Sequence, residues 1–242
     1  MYVKNFRKRE DTLLRRSKMK AIFFLCLFLF LSIMEVVCMV WERKRKIARL
    51  LRPFLMPALL LFYWSAAEKP SPFLIGALLL CFLGDVFLLG KSDLLLACGY
   101  LSFLFAHVLY GLFFSQSVPL TGFHPGLMII IFYILAFQLL IIRLQKGMEE
   151  KRKFQITKNL SVDYPLPVKA YGLFIMSMSY LSFIRAFFLR TPGAFLAAGG
   201  TLLFILSDAL LALAFFQKKS DKAVMATYLA GQLFIVFGVL MG

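Results

Sequence analysis

The sequence predicts an all-α fold, a polytopic bundle of about eight transmembrane helices, and three observations carry that expectation. Of 242 residues, 61% are apolar, against roughly half in soluble domains. The apolar residues fall in runs close to the length that crosses a bilayer core, about 20 residues. Short polar or charged connections separate the runs. A folded chain of this size still exposes much of its surface, so the apolar excess needs a second apolar solvent. The 28 phenylalanines suit helix surfaces that face lipid.

The first predicted span covers residues 21–41. Its end in Trp41-Glu42-Arg43-Lys44-Arg45-Lys46 makes a poor cleavage site and a good membrane anchor, so it is read as an anchor and not a signal peptide. The second, 52–67, is the shortest and holds Pro53 and Pro57, which are tolerated near a helix start because first-turn N–H groups lack partners anyway. The others are 72–90, 93–115, 125–143, 167–189, 193–216 and 223–241. Short connections predict that sequential helices pack as antiparallel neighbours. The longest loop, about 144–166, is polar and charged. Residues 1–20 read as a basic N-terminal tail and 21–242 as a single transmembrane domain.

The net charge of +16 does not imply a nucleic-acid partner. The basic residues sit in the tail and in segments between apolar runs, the pattern of membrane-flanking charge. The Lys and Arg balance places the loops after odd-numbered spans in the cytoplasm and both termini outside. The localisation expected is integral and multi-pass, in the plasma (inner) membrane if the host is bacterial. The four cysteines, Cys26, Cys38, Cys81 and Cys98, lie inside apolar runs and lack zinc-ligand spacing. They read as small buried hydrophobes. No metal and no cofactor is expected. Activity should survive exhaustive chelation. Loss with chelator and recovery with one added divalent ion would make carboxylates ligands.

A charged side chain at mid-membrane costs about 2.5–3.5 kcal/mol on insertion scales. Asp85, in Leu83-Gly84-Asp85-Val86-Phe87, and Asp208, in Leu206-Ser207-Asp208-Ala209-Leu210, are both flanked by apolar residues. Gly99, Phe103, Ala106 and Tyr110 recur at helical spacing, with Ser102 and His107 beside that stripe. Tyr228 and Gln232 are one i, i+4 step apart, and Tyr171 lies near the start of its span. Gly84, Gly99 and the pair Gly199-Gly200 read as places of close helix approach. Counting the rise per residue puts most of these groups, with Glu35 and Arg52, in the bilayer half next to the odd-numbered loops. His107 lies deeper.

The stretch from Lys69 to Gly242 resembles the YhhN-like lysoplasmalogenase family. The resemblance rests on Gly84-Asp85 with Leu88-Leu89, Ser102-Phe103 with His107 and Tyr110, Phe204 with Ser207-Asp208 and Leu211-Ala212, and Tyr228 with Gln232, in order. One departure is Arg52-Pro53 where the family has Lys-Pro; the charge is kept, but Arg presents a planar fork. The resemblance implies hydrolysis of the vinyl ether bond of lysoplasmalogens to a fatty aldehyde and a glycerophospho-base. It implies an intramembrane site using Asp85 and Asp208, with lysophospholipid and membrane lipids as partners.

The residue types suit that chemistry. A vinyl ether needs a proton on its β-carbon, after which water adds to the oxocarbenium ion and the hemiacetal collapses. A protonated carboxylic acid can supply the proton, and an ionised carboxylate can stabilise the cation and activate water. Which aspartate takes which role stays open. His107, Tyr228 and Gln232 would orient water or tune the acids, with Ser102, Tyr110, Tyr171 and Ser207 in support. Arg52 would meet the lipid phosphate. The alternatives are an intramembrane lipid hydrolase of different bond specificity, or a proton-coupled small-molecule transporter, since buried carboxylates also mark ion paths. The sequence leaves headgroup preference and oligomeric state open.

Overall fold

The computed structural model of the protein describes residues 2–41, 45–90, 92–118, 165–217 and 221–242. Seven helices account for their regular structure: α1 (Tyr2–Val40), α2 (Arg45–Ala66), α3 (Pro72–Phe87), α4 (Asp93–Ser115), α5 (Pro165–Leu189), α6 (Pro192–Gln217) and α7 (Asp221–Met241). Six of them are long and apolar enough to cross a membrane, and the protein is an integral, multi-pass membrane protein. Phe23, Phe30, Leu50, Phe54, Leu94, Phe105, Leu173 and Phe188 are each more than half exposed, as lipid-facing positions require. The predicted span 125–143 lies outside the described residues.

Three boundaries differ from the sequence expectation. The basic tail and the first span form one helix of 39 residues, about 58 Å long at 1.5 Å per residue and therefore longer than the hydrocarbon core is thick. The second helix begins at Arg45, so Pro53 and Pro57 lie inside it and not in its first turn. Each removes one backbone hydrogen bond, which membrane helices tolerate where neighbouring helices cover the gap. The third apolar run ends as a helix at Phe87, with 16 residues. Leu89 and Gly90 donate to Val86 and Phe87, three residues back, and this turn closes the helix.

The described residues form two compact units, Met1–Ala106 and His107–Gly242, with the division inside α4. In the first, α2 packs against both α1 and α3. A Cβ on Gly84 would lie 2.6 Å from the Phe103 ring, so glycine there lets α3 and the first half of α4 approach closely. In the second unit α6 packs against α5 and, most extensively, α7. A Cβ on Gly200 would lie 2.7 Å from the Gly231 carbonyl oxygen, and one on Gly231 2.9 Å from that of Gly200. The α6 and α7 backbones therefore touch, as small residues permit in membrane bundles. Gly199, expected to share this role, faces open space.

The connection between α5 and α6 is two residues long. Arg190 closes α5 in the left-handed region at φ 54, a place usually given to glycine. Its N–H still donates to Ala186 O. Thr191 Oγ1 accepts from the Ala194 N–H at 3.2 Å, and Pro192 supplies the first helical position, a fixed φ suited to starting a helix. Beside this turn Ala186, Ala194 and Ala198 pack together with Phe183 and Leu189.

Candidate active site

The second unit gathers seven of the predicted residues around Phe204. His107 projects from α4 and is fully buried. Its Nε2 lies 3.0 Å from Tyr171 Oη on α5 and 3.2 Å from Asp208 Oδ2 on α6. The Tyr171 hydroxyl donates to the same carboxyl oxygen at 2.6 Å. With that hydroxyl committed, the imidazole hydrogen belongs on Nε2, where both neighbours accept it. Nδ1 faces away from both neighbours. It is buried and has no hydrogen-bond partner.

Aromatic packing holds the imidazole. The His107 ring meets Tyr171 and Phe204 edge-on, with centroids 5.3 and 4.9 Å away. Phe204 in turn meets Tyr228 of α7 at 5.4 Å and Tyr110 of α4 at 6.4 Å, again edge-on. Edge-to-face contacts of this kind fix ring orientation as well as burying area. One turn along α4 from His107, the Tyr110 hydroxyl donates to Gln232 Oε1 at 2.6 Å. Ser207 Oγ donates to the Val224 carbonyl at 2.9 Å, tying α6 to α7 beside Asp208. Asp208 alone of the His107–Tyr171–Asp208 group keeps appreciable access, with 14% of its side chain exposed. Both of its contacts here fall on Oδ2. Oδ1 is the atom left for an exchangeable proton or a substrate.

The other three predicted residues, Arg52, Asp85 and Ser102, belong to the first unit. Asp85 is buried on α3. Ser102 Oγ donates to the Cys98 carbonyl of its own helix. Arg52 Nε donates to Glu35 Oε1 at 2.8 Å, and Glu35 is wholly buried. Breaking a buried pair by removing one partner costs about 3–5 kcal/mol, because the other charge stays behind. Arg52→Ala is therefore expected to lower thermal stability, and Glu35→Gln in the same chain to recover part of the loss. A double variant no more stable than Arg52→Ala alone would show that the pair is not the cause.

Two groups have no counterpart in the sequence reading. Ser179, Ser182 and Thr201 form a buried hydroxyl cluster between α5 and α6, with Oγ–Oγ1 distances of 2.7 and 3.0 Å. Arg185, one turn further along α5, is buried too, its guanidinium 5.5 Å from the Phe113 ring centroid. The spacing Ser179, Ser182, Arg185, three residues apart each time, was the available signal. Among the described residues no three His, Cys, Asp or Glu side chains are grouped to hold a metal.

A multi-pass membrane protein with a partly buried, hydrogen-bonded carboxyl group inside its helices is the class that fold and cluster define. The profile of the YhhN family matches residues 47–239, and the chain belongs to that family. It is 31% identical over 191 residues to the human lysoplasmalogenase TMEM86B, covering 78% of this chain and 72% of that protein. No solved structure matches the chain.

Proposed function

We propose that the chain hydrolyses the vinyl ether bond of lysoplasmalogens within the membrane, releasing a fatty aldehyde and a glycerophospho-base. Family membership and the similarity to a human lysoplasmalogenase support the reaction class. The observation that carries the chemistry is the Asp208 carboxyl group, with Oδ2 fixed by Tyr171 and His107 and Oδ1 left for exchange.

In this reading Oδ1 of protonated Asp208 gives its proton to the β-carbon of the alkenyl chain. The double-bond electrons form the new C–H bond, and positive charge develops on the α-carbon and ether oxygen. The carboxylate left behind is stabilised by the Tyr171 hydroxyl and the His107 N–H, and it faces the cation. Water adds to the α-carbon and returns a proton to Asp208. The hemiacetal then collapses, breaking the bond between the α-carbon and the glycerol oxygen. One water is consumed and the acid is regenerated. Acting as acid and then base on one substrate is the logic of a glycosidase carboxylate. Asp85, buried on α3, is the other carboxylate whose loss this reading expects to reduce turnover.

The test is a product assay on purified protein in detergent, with no gradient present. A lysoplasmalogen should yield aldehyde, and an ester lysophospholipid should yield no fatty acid. Fatty acid from the ester would reassign the bond cleaved. No product from either would end the hydrolase reading.

A further inference from the structure

Arg185 has no role in the chemistry above, yet its placement is costly. The residue is 6% exposed, and its Nε and Nη1 are buried without a hydrogen-bond partner. The contact made by its guanidinium is with the face of Phe113. Cation–π contact offsets only part of the desolvation cost of a buried ion. A guanidinium with two idle donors inside a membrane protein needs an anion to complete it.

The position of those donors says which anion. Tyr171, Met178 and Arg185 are spaced by seven residues and share one face of α5. That face looks at α4, where Tyr171 meets His107, the Met178 backbone lies near Gly111, and Arg185 meets Phe113. On α4, His107 and Phe113 are six residues apart, about 9 Å along the axis. In an extended lysoplasmalogen, six bonds separate the alkenyl carbon on the ether oxygen from the phosphorus, about 7–8 Å at ordinary bond lengths. A guanidinium contact to a phosphate oxygen adds about 3 Å. An alkenyl group at Asp208 and His107 therefore brings its phosphate to the level of Phe113, to which the guanidinium of Arg185 reaches back from a position about 21 Å beyond Tyr171 on α5.

We propose that Arg185 binds the phosphate of the lysolipid substrate, from the end of the second unit that carries the α5–α6 connection. The proposal rests on the vinyl ether reading of the Asp208 cluster. It replaces Arg52, which is engaged with Glu35, as the phosphate-binding residue. It also turns the headgroup toward the bundle end opposite to the one expected from sequence depth.

The experiment compares two substrates, a 1-alkenyl-glycerophosphoethanolamine and the 1-alkenylglycerol that lacks phosphate, on wild type, Arg185→Met and Arg185→Lys. For the phosphorylated substrate, Arg185→Met should raise KM by about tenfold or more with little change in kcat, since a contact kept from ground state to transition state is uniform binding. Arg185→Lys should restore most of the loss, and KM for alkenylglycerol should not move in either variant. Arg185→Met should melt at or above the wild-type temperature, because an apolar side chain replaces an unpaired buried charge. Equal KM changes for both substrates, no change for either, or a lowered melting temperature in Arg185→Met would overturn the proposal and leave the hydrolase reading standing.

If wild type cleaves neither substrate, the hydrolase reading fails. Equilibrium binding of a 1-acyl-glycerophosphoethanolamine and of a monoacylglycerol then still reports on Arg185. Selective weakening of the phosphorylated ligand by Arg185→Met supports the phosphate contact, and equal affinities in wild type and variant remove it.

Discussion

Asp208→Asn is expected to lower turnover by at least about a hundredfold, the lower range for a general acid–base group. Asparagine keeps the shape of the side chain and can still accept from Tyr171 and His107, so the contacts at 2.6 and 3.2 Å survive in outline. What is lost is the proton on Oδ1 and the charge that faces the cation. The effect should therefore fall on kcat and spare the melting temperature. Tyr171→Phe and His107→Gln remove only one hydrogen bond each to the resulting carboxylate and should cost less. Turnover of Asp208→Asn within a fewfold of wild type would take Asp208 out of the mechanism.

The bundle was legible in the sequence because bilayer thickness imposes run length, a constraint that does not depend on tertiary packing. The ends of helices were less so. Nothing local announces that α2 starts at Arg45, since the residues ahead of Pro53 alternate basic and apolar and become helical by packing on α1. The buried polar residues were legible as a set, because polarity inside an apolar run stands out. Their partners were not. His107 with Tyr171 and Tyr110 with Gln232 are separated by 64 and 122 residues, and spacing within a helix says nothing about which helix faces it. Tyr228 and Gln232 illustrate this, being adjacent on α7 yet facing different neighbours, Phe204 and Tyr110. Arg185 escaped notice because it stands four residues from the end of α5, where basic residues are common and usually reach water.

Asp85→Asn is the second substitution expected to reduce turnover by at least about a hundredfold. Asp85 is 6% exposed, within a helix whose other residues are apolar or small. Asparagine keeps the shape and the hydrogen-bonding capacity of the side chain but cannot supply or take up a proton. Folding should therefore hold while activity falls, and that separation distinguishes a chemical role from a structural one. A purely structural Asp85 would show stability and activity falling together. Near-normal activity with normal folding would remove Asp85 from the mechanism altogether.

The touching backbones of α6 and α7 also bear on how a lipid gets in and out. With carbonyl oxygens and glycines in contact at Gly200 and Gly231, these helices cannot slide or part without opening a void along the seam, so they move as one body. Asp208 and Phe204 ride on that body with Tyr228 and Gln232. If a chain enters by α4 and α5 swinging away, the bonds that resist this are His107 and Tyr171 to Asp208, Tyr110 to Gln232, and Ser179 and Ser182 to Thr201. Those of His107 and Tyr171 also position the carboxyl. On the hydrolase reading, admission of substrate and assembly of the acid are then expected to exclude one another. A covalent cross-link between α4 and α7 is expected to slow turnover, whereas one between α6 and α7 should leave it unchanged; equal effects would place the moving boundary elsewhere.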